Sequence, residues 1–109
     1  MKKYEVVLTP DAETGMISAF DYIYEASPTN AEKWLKRLYA RIYSLENFPA
    51  RCARAREQEY FKVELRQLIF KSHRIVFHID EKERTVLVLY VIHGKQRTIG
   101  APTESEAAE

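Results

Sequence analysis

The chain has 109 residues, of which 46% are hydrophobic, 12% aromatic and 30% charged. That is the composition of a folded globular domain, and the length suits one core with little surplus for a second. The net charge of +1 conceals an asymmetry: residues 1–50 balance to −1, residues 51–100 to +5, and residues 101–109, with Glu104, Glu106 and Glu109, to −3. A basic half is the footprint of an acidic or polyanionic partner, or else of an arginine-rich solvated surface. No apolar run approaches the roughly 18 residues of a membrane-spanning helix. Lys2 and Lys3 supply the charge of a signal peptide, but Val6-Val7-Leu8 is too short for its apolar region. One cysteine, Cys52, excludes an internal disulfide and a multi-cysteine zinc site. These features predict a cytoplasmic protein with no membrane partner.

In chain order, Tyr4–Leu8 is short and rich in β-formers and reads as a strand. Thr9-Pro10-Asp11 then gives a helix its N-cap, first-position proline and acidic first turn. Met16, Ile17, Phe20, Ile23 and Tyr24 recur at helical spacing, although Gly15 weakens this helix by roughly 1 kcal/mol relative to alanine. Ser27-Pro28 repeats the cap-and-proline signal. The helix it opens presents Ala31, Trp34, Leu35, Leu38, Ile42 and Leu45 on one face and stops at Phe48-Pro49. So short a connection predicts an antiparallel helical hairpin. Residues 50–60, with Arg51, Arg54 and Arg56, show no clean period and read as an irregular connection.

From Phe61 the period changes to two. Phe61, Val63 and Leu65 alternate with Lys62, Glu64 and Arg66 in a strand expected to run on through Phe70. Lys71-Ser72 reads as a turn, Ile75, Phe77 and Ile79 mark a second strand, and 80–84 is a polar turn. Thr85–Ile92 is nearly continuous in apolar residues, which suggests a central strand covered on both faces. The expected fold is α+β: an N-terminal strand, an antiparallel two-helix hairpin, then a three-stranded antiparallel meander, with the hairpin covering one face of a single antiparallel sheet. Residues 1–100 are expected to form the domain and 101–109 a flexible acidic tail.

Cys52 sits beside Arg51 and Arg54, which would favour a thiolate, yet no signature ties it to a histidine, so it reads as an incidental residue. His73, His78 and His93 lack metal-pair spacing, and His73 and His78 fall on opposite faces of one strand, so no metal is expected. Three glycines in the whole chain leave no phosphate-cradling loop and imply no cofactor. What remains is a constellation of cations. Lys62 and Arg66 share a strand face by parity, as do Arg74 and His78, while Lys71 and His73 flank the turn. His93, Lys95 and Arg97 leave the last strand. Arginine offers a planar fork for phosphate or carboxylate, and lysine a point charge. The bland alternative is that each merely pairs with Glu57, Glu59, Glu64 or Asp80.

Four segments in this order, Tyr4–Pro10, the hairpin from Ser27-Pro28 to Phe48-Pro49, the strands containing Leu65-Arg66-Gln67-Leu68 and His73–Phe77, and the closing Val91–Arg97, resemble the RelE/ParE superfamily of toxins from bacterial type II toxin–antitoxin modules. The resemblance covers about residues 4–97, and the long hairpin is closer to the ParE-like branch. It implies a cognate antitoxin, bound in a hetero-oligomer, and one of three outcomes. ParE-like members poison DNA gyrase by binding. RelE-like members cleave messenger RNA on the ribosome by attack of a ribose 2′-OH on the adjacent phosphate, which needs a base, cations and an acid. A detoxified, antitoxin-binding remnant is the third. On the RelE-like reading the catalytic candidates are Arg74, which matches the family arginine of the Arg-hydrophobic-Val-aromatic strand, with Arg97 and His93. Lys62 matches a family lysine loosely, Glu64 and Gln96 depart from the pattern, and no tyrosine follows Tyr90. Lys62, Arg66, Lys71, His73 and Lys95 are the candidate target- or antitoxin-binding residues.

Overall fold

Thr9 and Pro10 fix where the first strand stops and the first helix begins. In the computed structural model, which describes residues 3–94, β1 spans Glu5–Leu8 and α1 spans Pro10–Ala26. The Ala12 amide donates to Thr9 Oγ1 at 3.2 Å, the expected cap. Ser27 caps α2, Pro28–Tyr43, in the same way, with the Asn30 amide donating to its Oγ at 3.2 Å. One residue between two helices forces them back on each other, and the hairpin follows.

Three strands complete the sheet: β2 at Arg66–Phe70, β3 at His73–Asp80 and β4 at Thr85–His93, in the spatial order β1-β4-β3-β2. The meander is antiparallel, but β1 pairs in parallel with β4, so the sheet is mixed. The α+β class and the single sheet are as the sequence predicts; the direction of β1 is the difference. A strand that enters the hairpin and returns only at β4 crosses over the helices, and such a crossover yields parallel neighbours. β4 is indeed central, flanked by β1 and β3.

The helices cover one face of the sheet. Met16, Trp34, Leu38 and Ile42 pack there against Leu68, Phe70, Ile75, Phe77, Val86, Val88 and Val91. Residues 55–65 cover the other face, where Ala55 and Leu65 meet Val76 and Ile92 in a second, smaller core. That is why β4 reads as apolar on both sides. A bulge at Leu89, between the pairs Val76–Tyr90 and Phe77–Val88, shifts the β3–β4 register. Thr9 sits against this bulge: its hydroxyl lies 2.9 Å from the carbonyls of both Val88 and Leu89.

The predicted strand start at Phe61 is incorrect. Residues 61–65 are irregular because the Gln58 side chain takes over their backbone groups. Its Nε2 donates to the Val63 carbonyl at 2.9 Å, and the Leu65 amide donates to its Oε1 at 2.6 Å. Local amide-to-backbone bonds of this kind compete directly with strand pairing. The chain instead pairs the start of β2 with residues 53–55, through Gln67 N to Ala53 O and Ala55 N to Leu65 O, each 2.9 Å.

Gly15 has a positional role that outweighs its helix propensity. A Cβ at this residue would stand 2.2 Å from the Val91 carbonyl oxygen, so α1 can approach β4 this closely only without a side chain. Gly15→Ala is therefore expected to destabilise the fold by about 1–3 kcal/mol through overpacking, despite a helix-propensity gain of about 1 kcal/mol. Thr14→Ala, at the exposed neighbouring position, should be neutral or stabilising. Urea unfolding of both variants checks this; equal stabilisation by the two would contradict the close approach.

Candidate functional site

The turn between β2 and β3 gathers the basic residues at one end of the sheet. Lys71 occupies it in a left-handed conformation, φ 53°, with its ammonium 5.8 Å from the Phe70 ring centroid. His73 opens β3 directly opposite His93 at the end of β4. Their rings lie 5.3 Å apart, edge to face, and His73 also meets the edge of Trp34 at 5.3 Å. Burial, reinforced by the neighbouring His93, holds the His73 imidazole below its ordinary pKa, so the neutral form dominates at physiological pH. Its Nδ1 is buried and meets no hydrogen-bond partner among the described residues.

Two depressions meet at this turn. One, about 410 Å³, is lined by Arg56, Gln67, Lys71, His73, Arg74 and His93, and none of its described lining residues is acidic. Arg56 is anchored at its rim by a 2.9 Å bond to the Gly94 carbonyl. The other, about 870 Å³, runs between α1 and the ends of β3 and β4, shares Lys71, His73 and His93, and exposes Tyr22, Ile23 and Tyr90. The larger depression is an apolar cleft with Lys71 at one end and Asp11 also in its lining, and the smaller one is basic, with Arg56 and Lys71.

Arg74 sits beneath that rim, not on it. Its residue is 3% exposed, and its guanidinium faces the Glu57 carboxylate, which is fully buried. Nη1 donates to Glu57 Oε1 at 2.9 Å and Nη2 to Oε2 at 2.7 Å, a bidentate pair, while Nη1 also reaches Gln67 Oε1 at 3.0 Å. Pairing of this geometry is strong and directional. It fastens the 56–60 turn onto the sheet face opposite the helices.

The other sequence candidates divide. Lys71, His73 and His93 come together at the turn. Lys62 is exposed in the irregular segment, so it shares no strand face with Arg66, contrary to the parity reading. Arg66 is held by the Cys52 carbonyl at 2.5 Å and by Glu64 at 3.0 Å. His78 lies 2.8 Å from the Glu64 carbonyl, on the Arg74 face of the sheet. Lys95 and Arg97 lie outside the described residues. Burial pushes the Cys52 thiol above its ordinary pKa, and the nearby arginines oppose this only in part. Arg56 and Gln67 are site residues that the sequence reading did not single out. Arg56 lay in the arginine-rich connection, and Gln67 followed Arg66 in a strand read for its cations.

Comparison with known proteins gives three findings. A family model described as ParE toxin of type II toxin-antitoxin system, parDE, matches residues 6–98. Among solved structures, a chain of the chromosomal ParDE TA system from P. aeruginosa is similar, with a TM-score of 0.66 at 15% identity over 84% of this chain and 96% of that one. A chain of the toxin-antitoxin complex RelBE2 from Mycobacterium tuberculosis has a TM-score of 0.59 at 20% identity, over 85% and 93%. No match is found among curated proteins.

Breaking a buried ion pair leaves a charge in a poor solvent, which typically costs 3–5 kcal/mol, whereas replacing both partners by apolar groups is often nearly neutral. Arg74→Met is thus expected to destabilise by about 3–5 kcal/mol and the Arg74→Met/Glu57→Leu double variant by far less. Urea unfolding of the single and double variants measures both. A loss below about 1 kcal/mol for the single variant would contradict a clamp at this position.

Proposed function

Because the chain belongs to the ParE toxin family of type II toxin–antitoxin systems, we propose that it arrests growth by binding and poisoning DNA gyrase in the cytoplasm, with no bond-breaking chemistry of its own. A cognate antitoxin neutralises it within a hetero-oligomer. The observation that carries this reading is the sequestration of Arg74. Cleavage of RNA by 2′-OH attack needs cations that can reach the phosphate, and this guanidinium is already engaged by Glu57 and Gln67 in the interior. Arg66 is similarly engaged by Cys52 and Glu64. What the turn leaves at the surface, Lys71, His93 and the Arg56 rim, suits a contact surface.

The antitoxin reading is supported by the toxin–antitoxin systems to which the fold is similar. An amphipathic segment with an acidic residue placed against Lys71 would match the apolar cleft at this turn. Coupled ordering of such a segment on binding would match charge to charge and apolar face to cleft.

Ribosome-dependent RNA cleavage is the second reading, favoured by one observation. His73 and His93 stand 5.3 Å apart beside Lys71 and Arg56, a pair with the residue types of an acid and a base. Induction of the chain without antitoxin, followed within minutes by pulse labelling, separates the readings. Gyrase poisoning predicts a fall in DNA synthesis and induction of the SOS response while translation continues. A prompt fall in translation, with messages cut on the ribosome, would overturn that reading in favour of the nuclease. Continued growth with soluble protein would overturn both and identify a detoxified remnant.

A further inference from the structure

The second helix carries a charged face that nothing in the site uses. Ala31, Trp34, Leu38 and Ile42 point into the core, and on the opposite side Lys33, Lys36, Arg37, Tyr39 and Tyr43 are exposed. Glu32 is the one acidic residue between Pro28 and Tyr43. Four cations elsewhere are held in ion pairs: Lys3 with Glu46, Arg54 and Arg66 with Glu64, and Arg74 with Glu57. Arg41, on the same helix, donates to the Ile69 carbonyl at 2.9 Å. Among the described residues, Lys33, Lys36 and Arg37 enter no ion pair. Lys36 and Arg37 follow Lys33 by three and four residues, which places each about 5–6 Å from it on one side of the helix.

Beside these cations stand two tyrosines one turn apart. Tyr39 and Tyr43 are stacked on each other, with centroids 6.2 Å apart and planes 12° from parallel, and both are exposed, at 39% and 46%. The stack orders two aromatic rings in water and offers two hydroxyl donors beside three unpaired cations.

We propose that the solvent face of α2 binds duplex DNA through its phosphates, without sequence preference. Lysine, arginine and tyrosine are phosphate-contacting residues, and contacts to phosphate position a protein without reading bases. The geometry selects the duplex. A helix of 16 residues is a convex rod about 24 Å long, and the major groove of B-DNA, about 12 Å wide, admits such a rod. The major groove of duplex RNA is too deep and narrow for side chains to read. Single strands are held in grooves lined with aromatic residues, which a convex helix face does not provide. The inference does not rest on the gyrase reading; it follows from the exposed cations and tyrosines of α2.

Fluorescence anisotropy of the full chain with a mixed-sequence 20-base-pair DNA duplex, over 50–200 mM KCl, tests it, with the same sequence as single-stranded DNA and as duplex RNA. The DNA duplex is expected to bind most tightly. Lys33→Gln/Lys36→Gln/Arg37→Gln should weaken that binding by about tenfold or more and reduce the slope of log K on log salt by about 2.7, near 0.9 for each phosphate contact removed. Lys3→Gln/Arg54→Gln/Lys82→Gln removes the same charge from exposed positions elsewhere and should leave affinity within about twofold. Circular dichroism melting confirms that both variants fold. Equal losses in the two triple variants would overturn the proposal, because they would report net charge and not a surface. Absence of binding at 100 mM KCl, or tighter binding to single-stranded DNA or duplex RNA, would overturn it as well.

Discussion

A buried arginine facing a buried glutamate organises one whole side of this molecule. Residues 55–65 contain no strand, yet they form the second cover of the sheet. A small apolar contact of Ala55 and Leu65 with Val76 and Ile92 is a modest attachment for such a segment. The bidentate Arg74–Glu57 pair gives it direction, because a planar fork accepts a carboxylate in one orientation. Gln58 and Gln67 complete the arrangement, the first by holding residues 61–65 away from strand pairing and the second by taking a share of the Arg74 guanidinium. Because apolar residues can often replace a buried ion pair at little cost, its net contribution to stability is small.

That pair also decides how the cationic cluster is understood. Had Arg74 pointed to solvent, the sheet end would present a forked cation next to two histidines and a lysine, the parts of a phosphate-transfer site. Withdrawn into the interior, it leaves Lys71 and His93 where two depressions meet, one an apolar cleft and the other flanked by Arg56. On the reading proposed above, this end of the sheet serves as a contact surface, and Arg74 is not at hand to stabilise a pentacoordinate phosphate. The family membership shown by the match over residues 6–98 and the proposed gyrase reading both sit comfortably with a protein that works by contact.

Much of the fold was legible in the sequence because its signals are local. Thr9-Pro10 and Ser27-Pro28 announce two helix starts through chemistry contained in three residues each, and both caps form as expected. The apolar run Thr85–Ile92 marks a strand covered on two faces, and it is one of the two interior strands. Two features were not legible, for different reasons. The parallel pairing of β1 with β4 joins residues some 80 positions apart, and nothing in Glu5–Leu8 itself encodes direction. The alternation Phe61-Val63-Leu65 is a genuine strand pattern, overridden by one amide side chain, Gln58, whose bonds a periodicity count does not see. At the site the sequence named Glu57 and Glu64 as possible partners for the cations, and both are partners, but the burial that separates Arg74 from Lys71 depends on the packing of residues 52–65. Gly15 shows the same limit in reverse: a residue unfavourable to its helix is required by a backbone contact with β4.

The central claim is that Arg74 is a clamp and that the chain acts by contact. The most direct test is the inhibition of purified gyrase by the wild-type chain and by the Arg74→Met/Glu57→Leu variant, in a plasmid supercoiling assay with folding verified beforehand. The account predicts that wild type inhibits supercoiling and that the folded double variant does so within a few-fold. Failure of the wild-type chain to inhibit gyrase, or a folded variant with no inhibition, would contradict it.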